Sequence, residues 1–171
     1  MADLMNRMIR AARLDAQLYE EVEADREALG QAMGVVILAS LAAGVGTALQ
    51  GGVTGLILGT LAALISWFVW AYLTYWIGTR LLPERQTQAD LGELLRTIGF
   101  SSSPGLIRVL GIVPGFGVFT FLAAGIWMLV AMIIAVRQAL DYTSTWRAVG
   151  VVGIGWVVQI LILGLLFNLL R

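Results

Sequence analysis

The sequence predicts an all-α fold: a polytopic transmembrane helix bundle of about five spans, the third short, with amphipathic cytoplasmic helices. Three observations predict it. Apolar residues come in long uncharged runs, the arginines gather in particular connecting segments, and two polar stretches repeat their apolar residues at helical spacing.

Hydrophobic residues make up 59% of the 171-residue chain and charged residues 13%, against roughly 45–50% and 25% in an ordinary soluble domain. The runs 32–49, 53–78, 116–136 and 149–170 contain no ionised side chain. Each meets or approaches the roughly 20 apolar residues that a helix needs to cross a bilayer. One Arg or Asp at the centre of such a helix costs about 2.5–3.5 kcal/mol on insertion scales. Four clean runs therefore leave little room for a soluble fold. No cleavable secretory signal is expected, because the first run follows some thirty polar residues rich in acids.

Residues 1–30 form the first element. Leu4, Met8, Ala11, Leu14, Leu18 and Val22 recur at spacings of three and four, which makes an apolar helical stripe. Arg7, Arg10 and Arg13 come first, followed by Asp15, Glu20, Glu21, Glu23, Asp25 and Glu27. The basic half suits an interfacial helix on an anionic leaflet. The acidic half projects from it or meets a basic partner. The alternative is a solvated helix packed on the protein's own cytoplasmic loops.

The first two spans, 32–49 and 53–78, are joined by the uncharged turn 50–52. Gly51, Gly55 and Gly59 repeat every fourth residue at the start of the second, and such spacing lets helix backbones approach closely. Packing of the first span on the second is one use of that face. A homodimer is the other, with Ala39, Ala43 and Gly44 offering a similar surface. Aromatic residues crowd the other end of the second span. Tyr75 and Trp76 fit an interfacial belt, whereas Trp67 and Trp70 lie deeper and pack on other helices or enclose lipid, or else cage a ligand.

Arg80, Arg85 and Arg96 follow the second span, and Arg137 and Arg147 separate the last two. Four spans place the segment 137–148 outside, whereas a fifth crossing between Ser101 and Gly117 puts both arginine-bearing segments in the cytoplasm. The positive-inside rule therefore favours five spans, with the N-terminus cytoplasmic and the C-terminus outside. Before the extra crossing lies a second amphipathic helix, 87–100. Thr87 is its candidate N-cap, and Leu91, Leu94, Leu95 and Ile98 form its stripe. It is expected to lie flat on the cytoplasmic surface. The crossing itself, 104–114, opens on Ser103 and Pro104 and stops at Pro114. As an α-helix it is only about 15 Å long, so it is short or tilted, with Arg108 snorkelling towards the cytoplasmic headgroups. A re-entrant hairpin is the alternative. The spans 116–136 and 149–170 complete a single membrane domain, and Gln159 is the one strongly polar residue near the middle of a span. It suits an interhelical hydrogen bond, or otherwise a substrate contact.

The functional expectations follow from what is missing. No cysteine or histidine occurs, which removes thiolate chemistry, disulfides and the commonest metal ligand. The uncharged spans offer no proton relay, and no general base neighbours a buried serine. No catalytic residue, metal site, cofactor or nucleic-acid partner is expected. Two readings remain. One is a non-enzymatic scaffold, adaptor or accessory subunit that binds membrane lipids and other integral membrane proteins, or itself. The other is a small transporter, channel or lipid-handling protein, which requires a cleft around Gln159, Trp67 and Trp70; a closed bundle there removes it.

Several short motifs carry a family resemblance. They are Leu18-Tyr19-Glu20-Glu21-Val22-Glu23-Ala24-Asp25, Gly30-Gln31-Ala32, Thr74-Tyr75-Trp76-Ile77-Gly78, and Leu91 through Phe100 to Pro104. Ile126-Trp127, Ala135-Val136-Arg137-Gln138-Ala139-Leu140 and Arg147-Ala148 follow. In order and spacing the chain resembles the bacterial branch of the YIP family, small five-span membrane proteins related to the Ypt/Rab-GTPase-interacting proteins of eukaryotes. The resemblance implies an adaptor, organiser or accessory role in the bacterial cytoplasmic membrane, with no catalytic residues to carry over. The Asp-Leu-Tyr-Gly-Pro type motif of the eukaryotic relatives is not found here, so GTPase binding is not carried over either.

Overall fold

The computed structural model describes residues 2–47 and 52–169, with side chains described for 3–47 and 52–161. Every regular element among them is helical. In chain order they are α1 (Ala2–Ala12), α2 (Ala16–Ala24), α3 (Ala28–Gly46), α4 (Gly52–Trp76, ending in a π-turn at Ile77–Leu81), α5 (Leu91–Phe100), a 3-10 segment (Ser103–Ile112), α6 (Gly117–Ala139) and α7 (Thr145–Leu169). Three are long and apolar enough to cross a membrane: α3, α4 with its π-turn, and α6. The described apolar part of α7, Thr145–Leu161, is shorter.

Residues 1–30 are not one helix. The chain turns after α1 at Leu14, whose φ of 63° is a left-handed conformation, while the Asp15 amide reaches back to the Arg10 carbonyl at 3.1 Å. The turn folds the acidic half onto the basic half. Arg7 meets Asp25 at 2.8 Å, and Arg10 meets Asp15 at 2.7 Å and Glu21 at 2.6 Å. Both arginines thus spend their charge inside the chain, which favours the helix packed on the protein itself over one held by an anionic leaflet. Met8, Ala11, Leu18 and Val22 of the stripe are buried.

Helix α5 corrects the expectation of a flat surface helix. It is buried from Leu94 to Phe100 between α2, α3, α4 and α6. Its N-cap is Asp90, not Thr87, with a capping box in which Asp90 Oδ1 accepts the Glu93 amide at 2.8 Å and Glu93 Oε2 accepts the Asp90 amide at 2.7 Å. Thr87 Oγ1 instead accepts the Glu84 amide. Arg96, which lies off the apolar stripe, is nevertheless buried and donates to the carbonyls of Val22 and Glu23. It caps the C-terminal end of α2, where the helix dipole favours a cation.

Beyond α5 the chain climbs along α3. An added Cβ at Gly99 would lie 2.7 Å from that of Ala32, one at Gly105 would lie 3.3 Å from that of Ala39, and Gly46 abuts the Arg108 carbonyl. From Ala32 to Gly46 is about 21 Å along a helix axis. The segment gains this height because a 3-10 helix rises about 2.0 Å per residue instead of 1.5 Å. Gly115, at φ 85°, makes the turn, and α6 descends with Met128 against Gly105. Arg108 therefore lies towards the end of α3 opposite the N-terminal helices. Its backbone is held beside Gly46, away from the arginine-rich segments, so snorkelling towards cytoplasmic headgroups is not favoured if those segments are cytoplasmic.

Candidate functional site

The two ends of the bundle differ. At one end the N-terminal helices, α5 and two connecting segments lock together. Glu84 accepts from the Thr143 hydroxyl at 2.7 Å, the Thr143 amide at 3.0 Å and the Ser144 amide at 3.3 Å, just before α7 begins. These bonds, led by the Thr143 hydroxyl, hold the Glu84 carboxyl down at about 2. The Tyr142 hydroxyl is placed between the carbonyls of Gly78, at 3.0 Å, and Leu82, at 2.7 Å. It closes the π-turn, where Gly78 leaves room for the Leu140 side chain. Gln138 donates to Glu20 at 2.6 Å, joining α6 to α2. Several family-like motifs meet here, which gives them a physical reason: they brace one end.

At the other end the helices separate and leave a cleft of about 580 Å³, within the range of roughly 300–1,000 Å³ usual for ligand pockets. Helix α3 contributes one wall, including Ser40 and Gly44, and α4 another, from Gly55 through Gly59 to Trp67 and Trp70. Met128 and Met132 of α6 lie at the back, and Trp156 and Gln159 of α7 form the far side. Both deep tryptophans are fixed. Trp67 Nε1 donates to the Leu95 carbonyl at 3.0 Å, and Trp70 Nε1 donates to Met132 Sδ at 3.0 Å. An added Cβ at Gly155 would lie 3.1 Å from the Trp70 ring, which wedges α4 and α7 together below the cleft.

The residues singled out in the sequence distribute as follows. Trp67, Trp70, Arg108, Gln159, Gly55 and Gly59 all line this one cleft, whereas Gly51 lies outside the described residues. Close contact between α3 and α4 occurs elsewhere than at the glycine repeat. Leu56 fits over Gly44, and Ser40 donates to Thr60 at 2.9 Å. Among the described residues, no atom outside the local backbone of α4 lies within 4 Å of a Cβ added at Gly55 or Gly59. Gln159 makes no side-chain hydrogen bond among the described residues, so the interhelical bond expected of it is not formed there. The Arg108 guanidinium lies 5.5 Å from the centre of the Phe121 ring. Its Nε is shielded from solvent without a hydrogen-bond partner among the described residues. Phe121, Met128 and Met132 were not legible as site residues, since nothing distinguishes them from other apolar positions in their run.

The cleft's polar groups are Arg108, Gln159 and scattered hydroxyls, with no carboxylate among its lining residues. Such a set can bind an anion and an apolar body, but it supplies no general base to a serine. Among the described residues no cluster of three metal-ligating side chains occurs.

A family model described as the Yip1 domain matches residues 16–166. No curated protein and no solved structure matches the chain.

Proposed function

The chain belongs to the Yip1 domain family, and from that premise we propose that it is a non-enzymatic membrane organiser that receives a guest from the bilayer into the cleft between α4 and α7. The carrying observation is the glycine face at Gly55 and Gly59, open among the described residues along a lined cleft in an apolar bundle. An uncovered groove in hydrocarbon is filled by something, either a lipid or a helix of another membrane protein. A helix docked on the small-residue face makes the chain an accessory subunit or scaffold. A lipid makes it a lipid-handling protein, the reading that needed a cleft at Trp67, Trp70 and Gln159.

In this reading the braced end is cytoplasmic. Nine of the eleven arginines lie in the segments 7–26, 80–96 and 137–147 that meet there, and arginine-rich segments stay inside. The C-terminus lies outside, and the resemblance to bacterial relatives makes the bacterial cytoplasmic membrane its location.

The test is to extract the tagged protein in native-membrane nanodiscs and quantify co-purifying proteins and lipids for the natural chain and for Gly59→Phe. Filling the cleft is expected to release a stoichiometric protein or an enriched lipid while thermal stability is kept. An unchanged complement of both in a folded variant would refute the cleft as the working surface.

A further inference from the structure

We propose that the guest is a phospholipid with an anionic headgroup, its phosphate bound by Arg108 and one tail lying on the floor of Trp70, Met128 and Met132. This inference rests on the cleft being the working surface, and it names the occupant.

The argument begins with charge. All eleven carboxylates fall at positions 3–27, 84–93 and 141, in the segments that belong to the braced end. Arg108 is at the other end, beside Gly46. No acidic side chain falls in the segments at that end, and among the described residues the charge-related contact Arg108 makes is with the face of Phe121. A guanidinium in an apolar setting without an anion is costly. Arg96, buried elsewhere in the bundle, is by contrast satisfied by two carbonyls. The missing anion therefore comes from outside the chain.

Depth selects its source. Arg108 stands four residues before Ile112, where the 3-10 segment ends, or about 8 Å below that end at the 3-10 rise. With that end at the membrane surface, the Arg108 guanidinium is within snorkelling reach of the lipid headgroups. A guanidinium binds a phosphate through paired, charge-assisted hydrogen bonds, which an ammonium does not reproduce. Below Arg108 the cleft turns apolar, running along Leu56 and Met128 to Met132 and Trp70. A charged head above an apolar body is the shape of a phospholipid. A free phosphate leaves the lower cleft empty, and a partner's helix brings a carboxylate only by chance of sequence.

The experiment is native mass spectrometry of the full chain in detergent, titrated with phosphatidylglycerol and phosphatidylcholine of identical tails. One phosphatidylglycerol per chain is expected to be retained, with roughly tenfold preference over phosphatidylcholine, whose phosphate is already neutralised by its own trimethylammonium group; that ratio is about 1.4 kcal/mol. Arg108→Gln is expected to abolish the preference but keep tail-dependent binding. Arg108→Lys, which keeps the charge should the first variant misfold, is expected to retain a reduced preference. Gly59→Phe is expected to remove both lipids. Equal retention of the two lipids by the natural chain would overturn the headgroup assignment while leaving the cleft reading intact. Displacement of phosphatidylglycerol by millimolar inorganic phosphate would overturn it in favour of a free-anion site. Undiminished retention by folded Gly59→Phe would sink the cleft reading itself.

Discussion

At the scale of single residues, the charges reveal how the N-terminal layer is held. Arg96 joins α5 to the end of α2 through two carbonyls, and hydrogen bonds to a charged group contribute about 1.5–3 kcal/mol. Glu23 sits at the same junction. Burial, reinforced by Glu93, Asp141 and Glu20, pushes its carboxyl up to about 8 against an ordinary 4.5, with Arg96 opposing the shift. A folded-state value above the unfolded one means that the folded protein holds the proton more tightly. Stability from this group is complete below about pH 4.5 and is lost as pH rises through about 8. Glu23→Gln is therefore expected to leave Tm unchanged near pH 4 and raise it at pH 8.5. With the group half-exposed and screened, the gain is on the order of 1 kcal/mol, or about 2–4 °C. Thermal melts of both proteins across pH check this, and parallel pH profiles would contradict it. The junction was not legible in the sequence. Glu23 and Arg96 are 73 residues apart and read as solvated positions on separate amphipathic helices, because helical periodicity registers the apolar stripe and is silent about what covers the other face.

At the scale of elements, uncharged runs located the long helices well, since bilayer thickness and side-chain hydration act on every residue of a span. Local geometry was less legible. The segment 103–112 reads equally as α or 3-10, because the two differ in hydrogen-bond register and not in residue preference strong enough to decide. What selects the steeper form is close packing on α3 and α6 at Gly46, Gly105 and Gly111. The glycines consequently divide into two kinds, and Gly55 and Gly59 of the repeat visible in the sequence are the kind that meets no other element among the described residues. Gly46→Ala drives a methyl into the Arg108 carbonyl, a backbone atom that cannot swing away. It is expected to destabilise by about 1–3 kcal/mol and to disturb the Arg108 site. Gly55→Ala meets no other element among the described residues and is expected to be neutral or stabilising by up to about 1 kcal/mol through helix propensity. Melting both variants in detergent tests the division; equal losses would show that the repeat packs within the chain after all.

At the scale of the molecule, the proposed odd number of crossings turns on which segments share an end. Hydrogen bonds from Gln86 to the Asp141 carbonyl at 2.9 Å, from Thr143 to Glu84 and from Gln138 to Glu20 place the segments 82–90 and 139–144 beside the N-terminal helices. Gly115 and its turn lie at the other end, with Gly111 against Gly46. A four-crossing arrangement separates 82–90 from 139–144 and groups Gly115 with the former, so one experiment distinguishes the two. The chain contains no cysteine, which makes single introduced thiols unambiguous reporters. Arg85→Cys and Thr143→Cys are expected to react with a membrane-impermeant maleimide only after the cytoplasmic face is opened, whereas Gly115→Cys reacts in intact cells. Gly115 lies at a positive φ, so Phe116→Cys, exposed on the same turn, serves if the glycine variant misfolds. Labelling of Thr143→Cys from outside would break the brace and restore four crossings. Labelling of both far-turn thiols from outside, with the other two protected, fixes the braced end in the cytoplasm and sets the Arg108 cleft in the outward half of the bilayer, where its lipid would have to reside.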